Sequence, residues 1–264
     1  MKHITLLDSQ TWEVSDLQKK MMDDDFYYDY LGKAALSSST IKHLIKSPKK
    51  YKYITNNAQP MNKAMKTGWL LHCAVLEPEK FSQQIFVDVQ SRNTKKFKEV
   101  AQGNDLVFTA KERSETERLQ DAIYKNEQAL KLLTNCDFEV PAIGNIEGLP
   151  FRGKADVLCG DRIVDLKTSM NIDLWDYEKR YVTGSPYSLH YDVQAYIYCS
   201  IFNIDYKNFV FLVIDKGSLD IGIFDCSKEF YQSGKQKTYE AIARYKQFFI
   251  DEVDIDSYTL RGTL

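Results

Sequence analysis

The chain has 264 residues, of which 44% are hydrophobic and 27% charged, with 12 Gly, 6 Pro and a formal net charge of −2. This composition excludes collagenous, low-complexity and wholly disordered classes, and the length allows one large domain with appended elements. No apolar run approaches the roughly 18 residues of a membrane span, and residues 1–12 lack a signal peptide's long apolar stretch, so a cytoplasmic protein without membrane attachment is expected.

Residues 1–30 carry three lysines against seven acids, including Asp23, Asp24 and Asp25, and are expected to form an irregular arm. Residues 31–76 reverse the sign, with eight lysines and no acid before Glu77. A lysine run is commonly a solvated helical face; beside Tyr51 and Tyr53 it also offers charge and stacking surface for a phosphate backbone. Ser37, Ser38 and Ser39 can cap a helix running through Ile41, Leu44 and Ile45, which Ser47-Pro48 breaks. Residues 62–77 read as a helix closed by Pro78, and residues 111–134 as one long amphipathic helix carrying Leu119, Ile123, Leu130 and Leu133.

The period then changes. Residues 138–143, 151–159 and 162–167 are short β-branched or aromatic runs separated by Gly and Pro, which predicts three consecutive strands. Helical spacing returns over 186–202, followed by strands at 209–215 and 219–225 and a last helix from 228 to 249. The order predicts an α/β fold, a central mixed sheet flanked by helices with added N-terminal helices. Without a linker or repeat, residues 31–264 are expected to be one domain: 31–134 mainly helical and basic, 135–226 the sheet core, 227–264 a C-terminal helix. Cys73, Cys136, Cys159, Cys199 and Cys226 form no CxxC pair, fit a reducing compartment and are expected to be small core hydrophobes.

The stretch 152–167 carries the chemistry. If Gly160-Asp161 is a two-residue hairpin loop, Asp156 stands opposite Asp165 and Lys154 opposite Lys167. Alternation puts Asp165 and Lys167 on one face and Val164 and Leu166 on the other. Facing carboxylates repel unless one takes a proton or a cation sits between them, and Mg²⁺ suits two carboxylates, a backbone carbonyl and water. Lys167 beside such an ion could orient or help deprotonate a water and offset charge on a phosphorane-like transition state. The plainer alternative is a pair of surface ion pairs, Asp156 with Lys154 and Asp165 with Lys167.

These residues resemble the PD-(D/E)xK nuclease superfamily, with Asp156 as the first acid and Asp165-Leu166-Lys167 as the (D/E)xK element. Gly68-x3-His72 with Leu76-Glu77-Pro78, Glu139 before the hairpin, Gln194-x3-Tyr198 after it, and Ser37 to Ser39 followed by Ser47-Pro48 and Tyr51 are similar to the RecE (exodeoxyribonuclease VIII) and RecB-type branch. The likeness spans about residues 36–200.

The resemblance implies a restriction-endonuclease-like core and a 5′-to-3′ exonuclease that degrades one strand of linear duplex DNA with two Mg²⁺ or Mn²⁺ ions. It further implies a phage or prophage source, homologous recombination beside a single-strand annealing protein, and a cyclic homo-oligomer. Asp156, Asp165, Lys167 and Glu139 would be catalytic. His72, Asp156, Asp165, Glu139 and the Leu166 carbonyl would bind metal, although His72 alone reads as a core histidine and Glu139 as an exposed strand residue; Glu77 stays outside this set. Gln194 and Tyr198 would touch the substrate backbone or buttress the acids, with ordinary helix-to-sheet hydrogen bonding as the alternative. Ser37, Ser39, Lys46, Lys49 and Lys50 would receive the DNA and its terminal 5′-phosphate.

Three departures qualify the likeness. No proline precedes Asp156, the cysteine quartet of iron–sulfur relatives is absent, and no G-x4-GK[ST] loop is present to drive unwinding. The alternatives are a single-strand or flap nuclease, or an inactive DNA-end binder.

Overall fold

The computed structural model describes residues 2–57 and 59–261. In chain order it contains β1 (His3–Thr5), β2 (Thr11–Glu13), α1 (Val14–Lys20), α2 (Leu31–Ala34), α3 (Ser38–Lys46), α4 (Pro48–Asn56), α5 (Lys63–Leu76) and α6 (Pro78–Ser82). There follow β3 (Ile85–Val87), α7 (Lys95–Ala101), β4 (Val107–Thr109), α8 (Ala110–Lys125), α9 (Glu127–Leu133), β5 (Asp137–Ile146), β6 (Leu149–Cys159) and β7 (Arg162–Ser169). The chain continues with α10 (Tyr191–Phe202), β8 (Phe209–Asp215), β9 (Ile221–Asp225) and α11 (Lys228–Tyr245).

The five longer strands make one mixed sheet, ordered β5-β6-β7-β8-β9, in which only the β7–β8 pair is parallel. That pair needs a crossover, and α10 supplies it. Alternation along β8 divides the core. Phe209, Phe211 and Val213 pack with residues of α3, α10 and α11 on one face. Leu212 and Ile214 join Val157, Val164 and Leu166 against α5, α8 and α9 on the other. The mixed sheet flanked by helices is therefore as the residue pattern predicts.

Several local expectations need correction. The arm is ordered: the β1–β2 hairpin, α1 and a π-helical turn at Phe26–Tyr30 enclose a core of Ile4, Leu6, Leu17, Met21, Tyr27 and Leu31 that reaches Ile143 of β5. Its apolar residues are spread over short elements, so none gives a periodic signal. The single helix expected over 111–134 is two, because the Asn126 side chain accepts from the amides of Gln128 and Ala129 and starts α9 anew. The helix expected from 186 begins only at Tyr191, since His190 adopts φ 60°. The C-terminal helix ends at Tyr245, followed by a π turn at Lys246–Ile250 and a 3-10 turn at Ile255–Ser257; residues 262–264 of that expectation lie outside the described residues. Cys136 and Cys159, at the open ends of β5 and β6, are joined as a disulfide with Cα atoms 4.6 Å apart, whereas Cys73, Cys199 and Cys226 are buried thiols.

One glycine sets how closely two helices meet. A Cβ at Gly234 of α11 would collide with the Asp192 carbonyl oxygen of α10. Because the obstruction is backbone, Gly234→Ala should cost about 1–3 kcal/mol, read as a lowered midpoint in denaturant melts. An unchanged midpoint would mean that α10 can shift freely.

Candidate active site

The hairpin loop is formed as expected, with positive φ at Gly160 and pairs Cys159↔Arg162, Leu158↔Ile163 and Val157↔Val164. The ladder stops one step before Asp156 would face Asp165. Lys154 and Lys167 are not paired either, because beyond Val164 strand β7 runs on with β8 alone. The Asp156 side chain explains the break: its Oδ2 accepts the Leu166 amide at 2.8 Å, taking a donor that a continued ladder would have used.

The β5–β6 ladder also opens at Asp156. Phe138 pairs with Val157 and Val140 with Ala155, so Glu139 stands at the register position of Asp156 but is excluded from the ladder. Its φ of 52° lifts it out, a conformation that costs a non-glycine residue about 1–3 kcal/mol and clusters at functional sites. Three acids on neighbouring strands, Glu139, Asp156 and Asp165, thus lie where the sheet divides.

Helix α5 supplies the imidazole. His72 Nε2 is 2.8 Å from the Leu166 carbonyl oxygen and 3.5 Å from Asp156 Oδ2. Ligand atoms of His72, Glu139 and Asp156 all lie within 4.8 Å of one another. This donor set, one imidazole nitrogen and two carboxylates beside a backbone carbonyl, fits a divalent cation. Electrostatics agree: burial and the neighbouring Asp156 and Glu77, only partly offset by Lys154 and Lys80, push the Glu139 carboxyl up to about 8.

Asp165 is fully buried and engaged differently. It forms an ion pair with Lys167, and its Oδ1 accepts from Gln194 Nε2 at 2.6 Å. Burial, aided by Asp156 and opposed by Lys167, raises its carboxyl to about 6. Lys167 Nζ also lies 5.1 Å from the Tyr191 ring centre; burial disfavours its charge, but Asp165 and Asp156 outweigh that and raise its pKa. The exposed ion pairs considered for these residues are therefore not what forms. Asp165–Lys167 is buried, and Lys154 pairs with Asp24 of the arm instead.

Tyr198 donates to the Lys154 carbonyl at 3.1 Å, so Gln194 and Tyr198 of α10 brace β7 and β6 respectively. Gly153 lets that helix approach, since a Cβ there would lie 2.8 Å from the Tyr198 ring. Ser37 caps α3 by accepting the Thr40 amide, and its Oγ is 2.9 Å from that of Ser39. Hydrogen bonds between Leu36 and β6, through Pro150 and Arg152, bring this helix start to the sheet.

Most of these groups open on a cleft of about 930 Å³ whose lining includes Ser37, Ser39, Lys42, His72, Glu139 and Asp156, while Asp165 and Lys167 are not among its lining residues. Gln194, Tyr198, Lys80, Lys154 and the arm residues Asp24, Tyr27 and Tyr28 complete the part that matters here. Lys46, Lys49 and Lys50 are exposed and outside this lining; Lys49 pairs with Asp256 at 2.8 Å, and Lys50 lies over Tyr53. Sequence reasoning missed Lys80 and the arm. Alternation could have flagged Lys154, which shares a strand face with Asp156.

The family model for a PDDEXK-like domain of unknown function (DUF3799) matches residues 37–255. The chain's fold is similar to the crystal structure of a candidate exonuclease from Eubacterium rectale, with a TM-score of 0.66 over 92% of this chain and 95% of that one at 16% identity. A second solved structure, that of SSO0001, aligns over 76% of this chain and 84% of that one at 12% identity and a TM-score of 0.28. No curated protein matches the chain.

Proposed function

The chain belongs to the PDDEXK-like domain family, within the PD-(D/E)xK nuclease superfamily, and on that premise we propose that it is a divalent-metal-dependent nuclease acting on DNA ends. The observation that carries this reading is the convergence of His72, Glu139 and Asp156 beside the buried Asp165–Lys167 pair. Asp156, Glu139, His72 and the Leu166 carbonyl would hold one metal ion. Asp165 would join a second ion's ligands through a remaining lone pair of the carboxylate that holds Lys167. Mg²⁺ is the ion this oxygen-rich set suits, with Mn²⁺ as substitute. When bound, the metal supplies Lewis-acid polarisation of the phosphodiester and a more acidic water.

The chain's own groups do the rest. Lys167, held as an ammonium by Asp165 and the face of Tyr191, is placed to orient the attacking water and to offset negative charge on the phosphate oxygens. Gln194 fixes the Asp165 carboxylate that aims Lys167. The cleft admits a strand along β6, and the start of α3, with Ser37, Ser39 and Lys42, stands at its wall as a seat for a terminal phosphate.

The finer reading is a 5′-to-3′ exonuclease on linear duplex DNA, independent of ATP, of the RecE kind that serves recombination beside an annealing protein and in a ring of subunits. The likeness of the motifs supports it, and the description of the Eubacterium rectale protein as an exonuclease supports the exonuclease part alone. Linear duplex bearing 5′-phosphate or 5′-hydroxyl ends, with Mg²⁺ or chelator, tests it. Acid-soluble nucleotide should appear only with metal and faster from phosphorylated ends, because a dianion gains charge-assisted hydrogen bonds. Release with chelator present would remove the metal reading, and equal rates on both ends would confine Ser37 and Ser39 to capping α3.

A further inference from the structure

Inside this cleft an acid already sits between two cations. Asp24 Oδ1 accepts from Lys154 Nζ at 2.7 Å, and Asp24 Oδ2 from Lys80 Nζ at 2.8 Å. The lysines come from different elements, β6 and α6, and converge on one carboxylate. Burial alone would raise the Asp24 pKa, yet the two lysines outweigh it and hold the group ionised.

The two sides of this contact are anchored unequally. The Lys154 side chain is only 10% exposed, with its ammonium 4.8 Å from the ring centre of Tyr27 and 5.4 Å from that of Tyr28. Lys80 keeps a second partner, Glu77, at 3.3 Å. Asp24 is 43% exposed at the helical start of the π turn, so its side chain can rotate away while both lysines stay placed. Position matters as well. Lys154 lies two residues before Asp156 on β6, roughly 6.6 Å along the strand, and both line the cleft. A carboxylate that joins two ammonium groups through its two oxygens presents the charge and geometry of a phosphodiester's two non-bridging oxygens.

We propose that Lys80 and Lys154 form a subsite for a backbone phosphate of the bound DNA strand, adjacent to the metal site, and that Asp24 occupies it as an internal surrogate which the strand displaces. The proposal rests on the nuclease reading above and adds a gate to it: a strand must bring its own phosphate to displace the Asp24 side chain, so stray anions compete poorly.

Binding of a fluorescent linear duplex in chelator, followed across a salt titration, tests this without cleavage. Asp24→Asn keeps the side chain's shape and removes its charge. It should tighten binding about tenfold at low salt and steepen the log affinity against log salt slope by about one. Lys80→Gln and Lys154→Gln should each weaken binding and flatten the slope, and with both present Asp24→Asn should bring no gain. Should Asp24→Asn lower the melting temperature, the two lysine variants carry the test alone. Unchanged affinity and slope in Asp24→Asn, or a gain that persists without the lysines, would overturn the subsite while leaving the nuclease reading intact. Failure of the unaltered protein to bind duplex at all would remove both.

Discussion

Lys167→Ala should abolish strand cleavage, lowering turnover by about 10²–10³ or more, while duplex binding in chelator stays close to that of the unaltered protein. The ammonium acts where charge develops, and it makes no direct contact with the Lys80–Lys154–Asp24 group, being paired with Asp165 instead. Truncation also leaves Asp165 buried with Gln194 as its remaining hydrogen-bond partner, so its carboxyl should rise further and take a proton. A modest loss of melting temperature at high pH, recovered as pH falls, is therefore part of the expected result. Lys167→Arg keeps the charge with a different shape; because the Lys167 pocket is closed by Asp165 and the Tyr191 ring, it should restore stability more than turnover. Turnover near that of the unaltered protein in Lys167→Ala would take the catalytic role away from this residue.

How much of this was legible beforehand depends on the range over which each interaction acts. The sheet core was readable because alternation and the Gly160 loop are local, and the loop alone fixes the β6–β7 register. The break in that register was not, since it comes from a side chain, Asp156, taking a backbone donor ten residues away. The Glu139 backbone follows the same logic: its positive φ has no signature in a stretch that otherwise reads as plain strand. The Cys136–Cys159 bridge follows from the β5–β6 register, set by the two-residue Glu147-Gly148 loop, whose turn sequence is less marked than that of Gly160-Asp161. The arm was misjudged for a related reason. Its order comes from packing on Ile143 and from Asp24 reaching Lys80 and Lys154, contacts 56 and 130 residues distant. Lysine counting likewise pointed at Lys46, Lys49 and Lys50, whereas the cations that line the cleft come from scattered positions, Lys42, Lys80, Arg152 and Lys154.

Asp156→Asn offers a test in which stability and activity move in opposite directions. An asparagine Oδ1 can still accept the Leu166 amide, so the hairpin keeps its shape, but one negative charge leaves the group formed with His72 and Glu139. Activity should fall by about 10³ or to background, and the rise in melting temperature produced by Mg²⁺ should disappear, because a hard cation loses a charged ligand. Without metal the variant should melt higher than the unaltered protein at pH 8, since a repulsive neighbour of Glu139 is gone. The sign follows from the protons bound. In the folded protein Glu139 holds its proton up to about 8, against 4.5 ordinarily, so between those values the folded state binds more protons and stability falls as pH rises. Asp165, raised to about 6 from 3.8, adds the same sign over a lower window. The metal-free protein should therefore lose melting temperature from pH 6 to pH 8.5, and saturating Mg²⁺ should flatten or reverse that slope, because the ion binds the deprotonated ligands. Parallel slopes with and without Mg²⁺, together with an Asp156→Asn variant that still gains stability from the metal, would place the cation elsewhere and leave these acids as a strained but unliganded cluster.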